Sequence, residues 1–201
     1  MTTPHLQPIT LVGNHVRLEP LRPGHAAGLF EAAQRETFRY IPAVFGSWDV
    51  PGFTVYVERL LANPEYHLLC VCLPDGTPVG HTSFMSVVPK HRGIEIGNTW
   101  ISKACRGTKI NPEMKRLMLA HAFETGIFPS GPAIRVMLKT DNRNEQSKAA
   151  ILKLGAKFEG LIRNQYVMPD GFYRTSAQYS ITDDEWLSVR ARLDARLAEE
   201  E

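Results

Sequence analysis

The chain has 201 residues, 43% of them hydrophobic, and a formal charge of +2. At that length one core can bury roughly 70% of the surface the unfolded chain exposes, which predicts a single globular domain over 1–201. The small net charge argues against a nucleic-acid partner, the first ten residues lack a charged n-region and an apolar h-region, and no apolar run approaches bilayer length, so a soluble cytoplasmic protein is expected.

In chain order, residues 9–20 read as a strand pair around the Gly13-Asn14 turn, followed by a helix from about Gly24 with Ala26, Leu29, Phe30 and Ala33 on one stripe. A second helix follows Pro51. Strand-like runs then come in succession: Tyr66 to Leu73, Pro78 to Val88 after the turn Pro74-Asp75-Gly76, and Arg92 to Ser102, a pattern that predicts an antiparallel meander. The remainder alternates: a helix over 113–126, a strand over 133–139 with Ile134, Val136 and Leu138 on one face, a helix over 144–154 ended by Gly155, and two further strands. The tail, 181–201, opens with a capping-box pattern at Thr182 and Glu185. It continues as an amphipathic helix carrying Trp186, Val189, Leu193 and Leu197. No repeat or low-complexity linker divides the chain, and the class is mixed α/β.

Cys70 and Cys72 share one face of a strand while Cys105 stands apart, so reduced thiols are expected rather than a disulfide framework or a zinc site. His81, His91 and His121 have no metal-ligand spacing, and His121 is expected as a packed core residue on its helix. No metal is assigned. Although the total charge is small, five bases (Lys103, Arg106, Lys109, Lys115, Arg116) crowd one stretch against a single acid, Glu113. There a strand feeds a turn containing Gly107 and then a helix with Asn111 as N-cap and Pro112 at its first position. Unpaired N–H groups in the first helical turn, the helix dipole and the adjacent Arg106 and Lys109 make this junction an anion site, most naturally for phosphate. Neither G-x-G-x-x-G nor G-x-x-x-x-G-K-[ST] is present, so an ordinary nucleotide fingerprint does not account for it.

The segments EIGNTWIS, RGTKIN, TDNRNEQSKAAILKLGA and FEGLIRNQYVMPDGFYRTSAQYSI, in that order, resemble the GNAT superfamily of acetyl-CoA-dependent N-acyltransferases. Within it they are most similar to the RimJ/RimL-like branch of ribosomal-protein-type acetyltransferases. The resemblance implies an α/β GNAT fold: a mixed, mostly antiparallel central sheet with helices on both faces, plus the C-terminal helix. It also implies acetyl-CoA as acyl donor and an amine as acceptor, with no metal. The family turn [QR]-x-x-G-x-[GA] holds the CoA diphosphate on backbone amides, which maps cofactor contacts onto Arg106, Gly107, Thr108, Lys109, Ile110 and Asn111. Two positions depart from the pattern. Lys109 stands where the family has Gly, and either crowds the diphosphate or supplies a cation to it; Asn111 stands in place of Gly or Ala. By the same resemblance Asn144 and Ser147 flank the pantetheine arm, and Ile151 occupies the place of a family Tyr that protonates the departing thiolate. That leaves Ser147 as the acid, with Tyr166 as the alternative.

The chemistry requires a group that takes a proton from the acceptor ammonium, and N–H donors for the carbonyl oxygen of the thioester. Backbone amides at the strand end that contains Trp100 and Ile101 suit the second task. Glu95, flanked by Ile94 and Ile96, points to the opposite face from both and is the candidate base, its alternative being an ordinary outward carboxylate. Glu159 is expected to pair with a base such as Arg163. Phe38, Tyr40 and Phe45, with Trp48, lie where the family forms one wall of the acceptor groove; they line it or anchor the loop as core. Three functions are open: an N-acetyltransferase working by direct transfer in a ternary complex, a GNAT-fold acyl-CoA sensor or interaction protein without efficient chemistry, and a nucleic-acid module using the basic cluster. The acceptor is open between a protein N-terminus and a small-molecule amine, and the oligomeric state between monomer and homodimer.

Overall fold

The computed structural model describes residues 6–199; residues 1–5 and 200–201, at the two ends of the domain expected over 1–201, lie outside the described residues. The N-terminal pair forms as expected, with β1 (Leu11–Val12) antiparallel to β2 (Arg17–Pro20). α1 (Ala26–Ala32) follows a short 3-10 turn, and stops where Ala33 turns extended at ψ 150°. α2 (Val50–Leu61) starts one residue before Pro51, because Asp49 Oδ1 accepts the Gly52 N–H at 2.8 Å and a proline in the first turn has no N–H to leave unpaired. The meander is β3 (His67–Cys72), β4 (Pro78–Val88) and β5 (Gly93–Ile101). Then come α3 (Ile110–Glu124), β6 (Arg135–Asp141), α4 (Glu145–Leu154), β7 (Lys157–Val167), β8 (Tyr173–Thr182) and α5 (Asp183–Ala198), the last opened by the Thr182/Glu185 capping box.

The eight strands form one sheet in the order β1-β2-β3-β4-β5-β6-β8-β7, antiparallel except for β5 beside β6. Helices cover both faces. In β3, Leu69 and Val71 enter a core shared with Met114, Met118 and Leu119 of α3 and Trp186 and Val189 of α5. Leu68, Cys70 and Cys72 enter a second core with Leu29, Phe38, Phe53 and Tyr56. Strict alternation fails in β5. Ile96 and Ile101 reach the same core although five residues apart, which a period of two forbids. The register explains it: Gly97 lies opposite Ser83 and Trp100 opposite His81, so β5 advances three residues while β4 advances two. The extra residue is a bulge, at which Asn98 adopts φ 46°.

The helix start at α3 differs from the sequence expectation. Lys109 occupies the N-cap position, so Asn111 and Pro112 both lie inside the first turn. Thr108 supplies the cap that Asn111 was expected to give, its Oγ1 accepting the Ile110 N–H at 3.3 Å. Pro112, having no N–H, falls among the first-turn positions that lack an intrahelical acceptor.

Glu113 fixes this helix to the start of the chain. Its buried carboxylate accepts backbone N–H bonds from Asn14 at 2.9 Å, His15 at 2.6 Å and Val16 at 2.9 Å. Gly13 allows the approach, since a Cβ there would lie 2.4 Å from the Glu113 carboxyl carbon. Glu113→Ala leaves three amides in a partly buried turn without their acceptor and is expected to lower unfolding free energy by about 3 kcal/mol or more. Urea unfolding checks this, and an unchanged midpoint and slope would show that the turn is held by other contacts.

Candidate active site

β5 and β6 pair only from Gly93 opposite Arg135 to Glu95 opposite Met137, yet the strands run on to Ile101 and Asp141. Past Glu95 they part, and the gap opens a cavity of about 320 Å³. α3 and α4 follow these two strands, so both helices begin at the mouth of the gap. Of the predicted cofactor contacts, Trp100, Ile101, Arg106, Gly107, Asn111, Asn144 and Ser147 line this cavity, as do the proposed catalytic Glu95 and Tyr166. Thr108, Lys109 and Ile110 stand on the adjoining turn: Thr108 Oγ1 also donates to the Cys105 carbonyl at 2.8 Å, Lys109 is half-buried, and Ile110 packs into the core. Gly107 has φ 82°, with open space where a side chain would be, so a ligand can approach the backbone there. Arg106 does not lie free, its Nη2 donating to Thr37 Oγ1 in the segment between α1 and α2 at 3.3 Å. Asn144 caps α4, its Oδ1 accepting the Ser147 N–H at 3.0 Å.

At the other end of the cavity the acids are already engaged. Glu95, 3% exposed, takes Lys139 Nζ at 2.8 Å and Ser86 Oγ at 3.0 Å on Oε2, and its Oε1 has no partner among the described residues. Burial opposes the charge on Asp141, but hydrogen bonds from the Arg143 side chain and backbone outweigh it and hold the carboxyl below its ordinary range. Tyr66 and Tyr166 are half-buried, and burial raises both phenols, with the charge of Glu95 adding to it in each. Arg174 stands over the Tyr166 ring at 5.1 Å and donates to Ser176 Oγ and the Tyr40 carbonyl, each at 3.1 Å. Of the three predicted acceptor-wall aromatics, Tyr40 lines the cavity. Phe38 and Phe45 sit in a cluster with Trp48, Phe53 and Tyr56 that backs the loop.

Sequence reasoning missed Tyr66, Lys115, Lys139, Asp141 and Arg174 as cavity residues. Signals existed for two. Lys139 alternates with Leu138 and so falls on the side of Glu95, and Lys115 shares its helix face with Met118 and Leu119. Two pairings are corrected. Glu159 of β7 bonds Arg135, Ser180 and Gln178 rather than Arg163, because β8 lies beside β7 with β6 next to it, which brings these three side chains within its reach; chiefly through Arg135 its carboxyl is held down at about 2. His121 is half-buried against Phe84 and Thr125, not packed in the core.

The sequence matches the family model of the acetyltransferase (GNAT) domain over residues 15–157, and the chain belongs to that family. Its structure is similar to that of a protein from T. thermophilus described as an acetyltransferase, at 34% identity and a TM-score of 0.86, with 95% of this chain and 98% of the other covered. A GCN5-related N-acetyltransferase from Brucella melitensis shares the fold at 24% identity and a TM-score of 0.82 over 98% and 88% of the two chains. Mycobacterium smegmatis RimJ in complex with CoA-disulfide does so at 23% and 0.73 over 95% and 93%. No curated protein matches the chain significantly. Among the described residues no helix is long and apolar enough to cross a membrane.

Beneath the bulge lies a buried pair. Tyr56 Oη and His81 Nε2 share a hydrogen bond at 2.6 Å, and the His81 ring meets Trp100 at 5.6 Å between centroids. Burial pushes the His81 imidazole down to about 3, against an opposite pull from the Asn98 backbone, so the ring is neutral. The unfolded chain takes up a proton near the ordinary value of 6.5 that the folded chain refuses, so this histidine costs stability progressively as pH falls from 6.5 toward 3. Nitrogen-15 spectra are expected to show no titration of His81 between pH 5 and 8; a midpoint near 6.5 would mean that the pair opens to water.

Proposed function

We propose that the protein transfers an acetyl group from acetyl-CoA to a primary amine, directly, within a ternary complex. The observation that carries this is the parting of β5 from β6 directly before the amino ends of α3 and α4. It leaves an unpaired strand edge for the amides of the pantetheine arm and unpaired helical N–H groups, beside Gly107, for the diphosphate. Asn144 and Ser147 flank the arm from α4. The acceptor enters by Tyr40 and Tyr66. Its ammonium gives up a proton to Glu95, through Oε1 or an intervening water, and the freed amine attacks the thioester carbon. Backbone N–H groups near residues 99–101 stabilise the resulting oxyanion, and collapse of the tetrahedral species expels the CoA thiolate. Ser147 and Tyr166 both present hydroxyls to the cavity; a phenol is the stronger acid of the two, and Tyr166 is assigned the proton delivery.

The resemblance of the sequence segments to the RimJ/RimL-like branch suggests a protein N-terminus as the acceptor class, with a small-molecule amine as the other candidate. The three buried free thiols, Cys70, Cys72 and Cys105, suit a reducing cytoplasm. One observation favours the sensor reading instead: Ile151 presents an apolar side chain to the cavity where the family resemblance implies a hydroxyl. Turnover separates the two. Thiol release from acetyl-CoA is to be followed with a panel of peptide N-termini and small amines. Glu95→Gln is expected to lower kcat by about 10²- to 10⁴-fold while still binding acetyl-CoA; wild-type turnover in that variant would remove Glu95 from the chemistry, and binding without turnover across the panel would favour the sensor.

A further inference from the structure

Arg174 is a buried cation that no acid of the chain answers. It stands at the start of β8, 8% exposed, and lines the cavity with Tyr40, Tyr66 and Tyr166. Register places it on the face of the sheet that carries Glu95. Arg174 is two residues from Ser176, Ser176 lies opposite Asp141, and Asp141 is two residues from Lys139, whose amine bonds Glu95. On this face the acids are spoken for: Glu95 by Lys139 at 2.8 Å, and Asp141 by Arg143 through Nε at 3.0 Å and Nη2 at 2.7 Å. Among the described residues no carboxylate lies within ion-pair distance of Arg174. Its Nε donates to Ser176 Oγ and its Nη1 to the Tyr40 carbonyl, each at 3.1 Å, and both acceptors are neutral. The second N–H of Nη1 and both N–H groups of Nη2 have no acceptor among the described residues.

A guanidinium keeps its charge at every working pH, so burying one without a counter-ion is costly unless a ligand completes it. Its surroundings say where that ligand would lie. Arg174 bonds the backbone of Tyr40, which flanks the entry of the acceptor, and stands 5.1 Å from the ring centroid of Tyr166, the residue assigned the proton delivery. A group held by its free N–H donors therefore lies between the entry and the reacting centre. A carboxylate fits best, because its planar pair of oxygens matches the guanidinium fork and its single negative charge balances the one surplus cation on this face. We propose that Arg174 receives a carboxylate of the acceptor, so that the preferred substrates are amines carrying a carboxylate a few bonds from the reacting nitrogen; this rests on the acetyltransferase reading above. The α-carboxylate of an amino acid and an acidic side chain near a peptide N-terminus both supply that chemistry.

The test compares acceptors matched except for charge: an amino acid against its amide, and short peptides with Asp against Asn at the second or third position, each followed by thiol release from acetyl-CoA. The first pair reports an α-carboxylate and the others an acidic side chain. In at least one pair the wild type is expected to favour the carboxylate by about 10- to 100-fold in kcat/KM, as for a hydrogen bond to a charged group, and to do so through KM. Arg174→Gln should lose that preference, the KM of the carboxylate member rising to that of its amide, while calorimetry still shows acetyl-CoA binding. Arg174→Lys, which keeps the charge without the fork, should retain part of it. If Arg174 only braces β8 against the backbone of Tyr40, its variants will lose activity toward both members of a pair alike, and the proposal fails. Equal wild-type kcat/KM within every pair, or a preference that survives in Arg174→Gln, would overturn it while leaving acetyl transfer intact. Absence of thiol release with every acceptor would overturn the acetyltransferase reading and this proposal together.

Discussion

The parting of two parallel strands is the constraint on which the molecule is arranged. Among the described residues β5 and β6 are the only parallel neighbours in the sheet, and each is followed by a helix that returns across it. Had they paired to their ends, their edges would have been satisfied by one another and the helix starts would have closed over a filled sheet. Pairing stops at Glu95 and Met137, which leaves backbone donors and acceptors facing a gap toward which two helices direct their amino ends. Ligands of open α/β sheets gather at the carboxyl ends of parallel strands for this reason. The Asn98 bulge belongs to the same device, because the extra residue changes which side chains β5 presents above and below it and turns Trp100 into the aromatic core under the loop between α1 and α2.

Charge in the cleft is divided along its length. At the end bounded by β6 and β8 every carboxylate is matched, Glu95 by Lys139 and Asp141 by Arg143, so that each acid is held in one orientation. At the end bounded by α3 the balance is left positive, with Arg106 tied to a threonine and Lys115 to another. A polyanion with an uncharged arm and a reactive tip suits such a gradient, its phosphates at the cationic end and its thioester toward the matched acids. The aromatic cluster of Phe38, Phe45, Trp48 and Phe53 holds the loop between α1 and α2 in place, and only Tyr40 of the predicted wall reaches the cleft itself.

Most of the element order was legible because turns and periods marked it: Pro74-Asp75-Gly76 between two strands, Gly155 after a helix, Thr182 and Glu185 before another. Position within elements was less so. The reading of Asn111 as a cap followed residue preference, whereas Thr108 reached the first free N–H sooner and moved the start of α3 upstream. Alternation put Glu95 on the correct side of β5 but could not carry past Asn98, since a bulge resets the phase and leaves no mark in composition. The charge cluster around Arg106 treated all five bases alike; only the helical spacing of Lys115 with Met118 and Leu119 separates a buried cation from solvated ones. Partners distant in sequence, such as Arg135 for Glu159 or Lys139 for Glu95, depend on which strands become neighbours, and β8 inserting between β6 and β7 is a topological fact that no local pattern contains.

The three amides that grip Glu113 come from residues 14–16, nearly a hundred positions earlier in the chain. A contact of that span closes a very long loop, and its entropy is recovered only when both partners are already shaped. During synthesis the N-terminal turn emerges first and waits through the whole meander for its helix, so the mouth of the cleft is among the last parts of the molecule to be set. Whatever is attached to, or removed from, the beginning of this chain therefore acts on the seat of α3, the helix whose first turn borders the cleft through Asn111.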